Sequence, residues 1–177
     1  MSEPDPYFLG YRQAEQDRLQ RQAQELAADS NWLFDHVGVP AGSRVIEIGC
    51  GPQGCLGLLA GRVGATGRVV GVERSAEQVQ RARRFVADCQ LSNVEVLHAD
   101  GRGTGLPERS FDIAIARLVL VNVPQPQALV QEMVRLVRPG GVVALHEAES
   151  STQRCDPPHR AQTRLLEVLN TSAEMDG

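Results

Sequence analysis

The chain of 177 residues contains no lysine; its 18 Lys+Arg positions are all arginine. A missing amine excludes whole chemistries. There can be no P-loop Gly-Lys-Ser/Thr, no Schiff base with pyridoxal phosphate or a carbonyl substrate, and no Ser-x-x-Lys acylation site. Aromatic residues are scarce at 4%, and five of the seven (Tyr7, Phe8, Tyr11, Trp32, Phe34) fall in the first 34 positions. The four cysteines, Cys50, Cys55, Cys89 and Cys155, form no CxxC pair, so no zinc cage, disulfide framework or other metal site is expected. Neither charge sign dominates: 22 acidic against 18 basic residues leave a net charge of −4, without the basic excess of a nucleic-acid or anionic-membrane binder. Long apolar runs are absent, and the N-terminus, Met1-Ser-Glu-Pro-Asp-Pro6, is acidic rather than basic then apolar. A cytoplasmic protein with reduced thiols, neither exported nor inserted in a membrane, is the expectation.

What is present is an ordinary hydrophobic fraction of 42%, enough to bury a core in one domain or two at most. Leu19, Ala23, Leu26 and Leu33 recur at helical spacing and predict an amphipathic helix over 12–34, broken near Ser30-Asn31. After Val39-Pro-Ala-Gly-Ser43 the pattern alternates between strand and helix. Strands are expected at Arg44–Ile48, Arg68–Val72, Val94–His98, Phe111–Ala116 and Val142–His146. Helices carry Leu56, Leu59 and Val63, then Val79, Ala82, Val86 and Cys89 behind a Ser75/Gln78 capping box, then Leu129, Met133 and Leu136. Arg138-Pro-Gly-Gly141 should stop the last of these before strand five. A final helix is expected at Arg160–Leu169. This alternation predicts an α/β fold, a doubly wound parallel sheet of about five strands with an N-terminal helical cap. The expected division is 1–38 for the cap, 39–150 for the sheet domain and 151–177 for a C-terminal helix and tail.

The first strand runs into Glu47-Ile-Gly-Cys-Gly-Pro-Gln-Gly54, so Gly49, Gly51 and Gly54 satisfy G-x-G-x-x-G between a strand and a helix, and Glu73 ends the next strand. A backbone bare of side chains lets a nucleotide-type ligand lie against the turn, and a carboxylate at the tip of strand two can accept from both ribose hydroxyls. Charge separates the candidate ligands. A dinucleotide brings a diphosphate that wants free N–H groups at the helix start, yet Pro52 removes one donor and Glu47 repels the anion. S-adenosylmethionine carries a sulfonium and an ammonium and no phosphate; a site edged by Glu47, Glu73 and Asp100 suits it.

On these residues the sequence resembles a class I S-adenosylmethionine-dependent methyltransferase, with its Rossmann-like sheet. More narrowly, it is similar to the small-molecule branch acting on quinone, polyketide or similar acceptors. Val45-Ile-Glu-Ile-Gly-Cys-Gly51 matches the first motif of that superfamily and Val69-Val-Gly-Val-Glu-Arg-Ser75 the second. Ala99-Asp-Gly101 with Leu106-Pro107 and Ser110-Phe-Asp112 matches the third and fourth, and Leu136-Val-Arg-Pro-Gly-Gly141 the turn into strand five. The resemblance implies that Gly49, Gly51 and Gly54 pass along the methionine part of the cofactor and that Glu73 holds the ribose. Asp100 and the Gly101 amide would meet adenine N6 and N1. The implied cofactor set is Glu47, Gly49, Cys50, Gly51, Gly54, Glu73, Arg74, Asp100, Gly101 and Arg117. Pro52-Gln53 displace the last glycine from the G-x-G-x-G of many members, which leaves the contact of Gly54 open.

Arg117 ends strand four at the ligand-binding edge and suits a cofactor carboxylate or substrate anion, or else a neighbouring acid. Asp112, at the opposite end of that strand, reads as a turn residue. His146 at the end of strand five is the candidate general base, since histidine exchanges its proton near neutral pH. Tyr7, Tyr11, Trp32 and Glu147 are candidate substrate contacts. Methyl transfer needs no triad: the electrophile arrives activated, and the protein positions donor and acceptor. Three readings stay open: a small-molecule methyltransferase; a non-catalytic or truncated S-adenosylmethionine-binding protein, because the C-terminal hairpin usual after strand five is not evident; and an NAD-dependent oxidoreductase. The expected partner is a small-molecule substrate, with a homodimer as one way to cover the exposed sheet edge.

Overall fold

A computed structural model describes residues 13–148 and 156–175; Tyr7 and Tyr11 lie outside the described residues. The chain divides into two compact units, 1–146 and 147–177. All described strands and five of the helices lie in the first.

Five parallel strands, β1 (Arg44–Ile48), β2 (Arg68–Glu73), β3 (Val94–His98), β4 (Phe111–Arg117) and β5 (Val137–His146), form one sheet in the order β3-β2-β1-β4-β5. The order reverses between β1 and β4, and ligands bind open α/β sheets beyond the strand C-termini at such a switch.

Because side chains alternate along a strand, the sheet has two apolar faces. Val45, Val69, Ile113, Ile115 and Ala144 meet Phe34 of α2 (Ala27–Val37), Leu56, Leu59 and Val63 of α3 (Leu56–Val63), and Val79 and Ala82 of α4 (Ala76–Asp88). Ile46, Ile48, Val70, Val72, Ala114 and Ala116 meet Leu129, Met133 and Leu136 of α5 (Pro126–Leu136). The central strands are therefore buried on both sides, as their continuous Val/Ile/Ala runs require.

Three boundaries differ from expectation by more than a residue. The N-terminal helix does not break at Ser30. α1 (Gln13–Glu25) and α2 are separated by Leu26 alone, and Leu26 N–H to Gln22 O (3.0 Å) and Ser30 N–H to Leu26 O (2.9 Å) carry the helical ladder across the junction. β5 begins at Val137, five residues early, because Val137 pairs with Phe111 and a register shift absorbs the Pro-Gly-Gly segment. The third concerns the second unit, where α6 (Arg160–Met175) runs past Leu169. Among the described residues no helix is long and apolar enough to cross a membrane, and no group of His, Cys, Asp and Glu could hold a metal.

Asp112 does more than make a turn. Its carboxylate receives the Arg44 N–H (2.7 Å) and the guanidinium groups of Arg44 (3.3 Å) and Arg138 (2.7 Å), tying β1, β4 and β5 at the edge opposite the ligand side.

Candidate cofactor site

β1 delivers the glycine loop to the C-terminal edge of the sheet, and the loop satisfies its own backbone. Gly49 N–H (2.8 Å) and Cys50 N–H (3.1 Å) both donate to Val72 O. Gly51 N–H donates to Glu73 Oε2 (3.0 Å), and Cys55 N–H to both oxygens of Glu47 (2.9 and 3.0 Å). Pro52 has none to give. Four N–H groups that a dinucleotide diphosphate could use are thus already committed, and the Glu73 carboxylate holds the N–H of Gly51, where the backbone is open.

Gly49, Gly51 and Gly54 all take positive φ, 71°, 56° and 51°, a region that side chains disfavour. Their surroundings differ. A β-carbon on Gly49 would lie 2.5 Å from Val119 Cγ2, and one on Gly54 2.6 Å from Glu47 Oε1, whereas Gly51 faces open space for 4 Å. Gly51 is therefore the place where a ligand can lie on bare backbone, while Gly54 seats the loop on the carboxylate beneath it. Cys50 is 2% exposed and turns its sulfur into the core against Gly71.

Glu47 is 1% exposed. Burial pushes its pKa up to about 7, against the opposing pull of the Cys55 N–H and the Arg117 charge. Its carboxylate acts on the loop and on the start of α3. Burial likewise lifts the Cys55 thiol to about 12, aided by the Glu47 charge. Glu73, at the tip of β2, is held by the Gly51 and Ser75 N–H groups (3.0 and 2.8 Å). A carboxylate oxygen accepts more than one hydrogen bond, so this fixed group can also receive a vicinal diol. The Arg74 carbonyl accepts from His98 Nε2 (2.8 Å).

Asp100 is engaged by a residue the sequence did not single out. Arg102 donates Nε (3.0 Å) and its backbone N–H (2.9 Å) to Oδ1, and Nη2 (2.6 Å) to Oδ2. The Arg102 hydrogen bonds, outweighing partial burial, hold the Asp100 pKa below the usual carboxylate range. Gly101 packs its backbone on the end of β1, where a β-carbon would be 2.5 Å from Ile48 Cγ2.

Arg117 donates Nη1 to Ser30 Oγ (3.0 Å) on α2. His146 pairs in register with Arg117, its carbonyl accepts from Leu118 N–H (2.8 Å), and its Nδ1 is buried without a hydrogen-bond partner among the described residues. Trp32 is 62% exposed and tilts against His36, ring centroids 3.9 Å apart, on a different side of α2 from buried Ser30 and Phe34. Glu147 opens the second unit.

Residues 46–145 match the family of methyltransferase domains. This chain belongs to that family. The methyltransferase domain is 31% identical over 116 residues to a demethylmenaquinone methyltransferase of Geobacillus sp. (strain WCH70), covering 66% of this chain and 50% of the relative. It is 35% identical over 136 residues to an uncharacterized 37.1 kDa protein in transposon TN4556 of Streptomyces fradiae, covering 75% of this chain and 39% of the relative. The chain spans half or less of the length of these two relatives. Its fold is that of a SAM-dependent methyltransferase from Aquifex aeolicus (TM-score 0.67, 23% identity, 78% of this chain and 76% of the other). It is also similar to the [4+2]-cyclase SpnF (TM-score 0.59, 25% identity, 82% and 48%).

Proposed function

We propose that this methyltransferase domain binds S-adenosylmethionine along the glycine loop and passes its methyl group to a small molecule. The observation that carries the reading is the loop itself. Its N–H groups at Gly49, Cys50, Gly51 and Cys55 are committed to protein acceptors, and bare backbone is open at Gly51. Glu73 stands fixed beside it as a diol acceptor. These residues fit a cationic, phosphate-free adenosine compound. Arg74, Asp100 and Gly101 edge the purine side.

When bound, the cofactor supplies a methyl group on sulfonium, already activated for in-line displacement. The chain's part is to orient, to exclude water and to manage one proton. His146, at the end of β5, is the residue for that proton when the acceptor is a hydroxyl. The names of the demethylmenaquinone relatives point to a quinone-type ring as acceptor. A cytoplasmic setting agrees with the buried free thiols of Cys50 and Cys55.

Calorimetric titration with S-adenosylmethionine, S-adenosylhomocysteine and NAD tests the reading. Binding of the first two alone is expected; NAD binding without them overturns it. The likeness to a [4+2]-cyclase raises a second reading, a cofactor-binding chain without methyl transfer. Binding with no methyl transfer to any phenolic or quinone acceptor would support that one.

A further inference from the structure

A line of buried polar side chains runs beneath the glycine loop, on the side away from the open space at Gly51. Ser30 on α2 is 1% exposed. Its Oγ donates to Leu26 O (2.8 Å) and accepts from Arg117 Nη1 (3.0 Å), with Cys55 Sγ donating from 3.8 Å. One proton and two lone pairs are all a hydroxyl has, so these contacts use Ser30 completely. Arg117 brings its charge to bear on Glu47 and Cys55. Glu47 in turn holds the Cys55 N–H and lies under Gly54. Segments far apart in sequence, namely α2, the end of β4 and the loop, thus meet in a polar path that is buried at Ser30, Cys55 and Glu47 and half-buried at Arg117. Arg117 and Cys55 are the titratable and charged groups that bear on Glu47 along it, and Glu47 in turn bears on Cys50.

Apolar packing already attaches the cap, since Phe34 of α2 is 1% exposed in the core. Buried polar groups cost stability unless each is partnered, and they tolerate only one geometry. Their presence here therefore fixes where α2 sits, beyond holding it on. The same strand end also reaches the loop from its other side. Two residues after Arg117, past Leu118 at φ 56°, Val119 packs on Gly49.

We infer that Ser30 and Arg117 are positioning residues that couple the seating of α2 to the shape of the glycine loop, so that filling the loop and seating the cap stabilise each other. This rests on the loop being the S-adenosylmethionine site. Coupling of this kind is reciprocal: whatever the seated cap adds to cofactor affinity, bound cofactor adds to the cap.

The test uses the full chain with S-adenosylhomocysteine as the probe, affinity by calorimetry and amide hydrogen exchange over residues 27–37. In the wild type the ligand should slow exchange in α2. Ser30→Ala, which deletes one hydroxyl, should weaken binding about tenfold and remove the slowing in α2 while loop amides still respond. Glu47→Gln, at the other end of the path, should weaken binding similarly, and the double variant should be no weaker than the worse single one. Arg117→Gln should resemble Ser30→Ala, and Arg117→Lys should not rescue it, because an ammonium lacks the planar fork. Wild-type affinity in Ser30→Ala, or strictly additive losses with Glu47→Gln, overturns the coupling and leaves the cofactor reading intact. A wild-type chain that binds neither S-adenosylhomocysteine nor S-adenosylmethionine overturns both.

Discussion

Gly54 rests on the carboxylate of Glu47: a β-carbon at Gly54 would stand 2.6 Å from Oε1 and 2.8 Å from Oε2. The third glycine of the loop is therefore required by the acid eight residues before Cys55, whose N–H that acid caps. Gly54→Ala should meet both a left-handed backbone penalty, φ being 51°, and this steric conflict. About 2 kcal/mol of stability should be lost, with cofactor affinity falling at least about tenfold. Thermal melts and calorimetry check the two effects separately. Gly51→Ala, with the same sign of φ but open space around it, should retain more stability while still losing affinity.

The raised pKa of Glu47 makes a second prediction with a definite sign. In the unfolded chain this carboxyl titrates near its ordinary 4.5, and burial lifts it to about 7 in the fold. The native state therefore binds more protons across that interval, so its stability falls as pH rises from 4.5 through 7 and levels off above. Glu47→Gln removes the penalty and keeps an acceptor for Cys55. Its melting temperature should exceed that of wild type at pH 8.5, by an amount worth about 3 kcal/mol, and approach it at pH 5. An unchanged difference across that range would show that Glu47 is ionised throughout.

Asp112 has the opposite sign. Burial works against its charge, yet the Arg44 N–H and the guanidinium groups of Arg44 and Arg138 bring its pKa down to about 2 from 3.8. Its contribution is fully present above pH 3.8 and is lost as pH falls through 2. Asp112→Asn should cost about 1 kcal/mol at neutral pH, since partly exposed ion pairs contribute little each. The deficit should close in acid melts near pH 2, and cofactor affinity should be unmoved, because the residue sits at the far end of β4.

The sheet was legible because its signals are local and periodic: Val45-Ile46-Glu47-Ile48 and Val69-Val70 read as buried strand, and Gly49 and Gly51 as a turn, without reference to anything distant. The partners of the site were not. Ser30 meets Arg117 across 87 positions, and nothing in an amphipathic helix marks one serine as buried and bonded. Ser and Asn disfavour helix interiors, but the Oγ bond of Ser30 to Leu26 O offsets that preference, and the helix runs through. Glu47 was recognised as an acid beside the loop, whereas its position under Gly54 depends on how the loop folds back. Arg102 lay in plain view two residues from Asp100; a short-range pair of this kind carries no periodic signal.

Asp100 and Arg102 can be separated experimentally. Their side chains are 38% and 30% exposed, so the pair itself is worth at most about 1 kcal/mol. Arg102→Ala should shift cofactor affinity by less than about threefold. Asp100→Ala, which removes an acceptor on the purine side, should weaken binding by about tenfold. Equal losses in the two variants would show that the arginine itself contacts the purine.

His146 gives the sharpest test of turnover. It stands beside Arg117 at the ligand edge with a buried Nδ1 that no group among the described residues satisfies, and unpaired buried polar atoms are uncommon without a use. With a phenolic acceptor, His146→Ala should lower kcat/KM by about a hundredfold while leaving S-adenosylhomocysteine affinity within about twofold of wild type. With a carbon acceptor already made nucleophilic by a neighbouring hydroxyl, the same substitution should matter far less, since no proton need leave before the methyl arrives. Equal losses with both acceptors, or a parallel loss of cofactor affinity, would show the His146 side chain to be shaping the end of β5 rather than handling a proton.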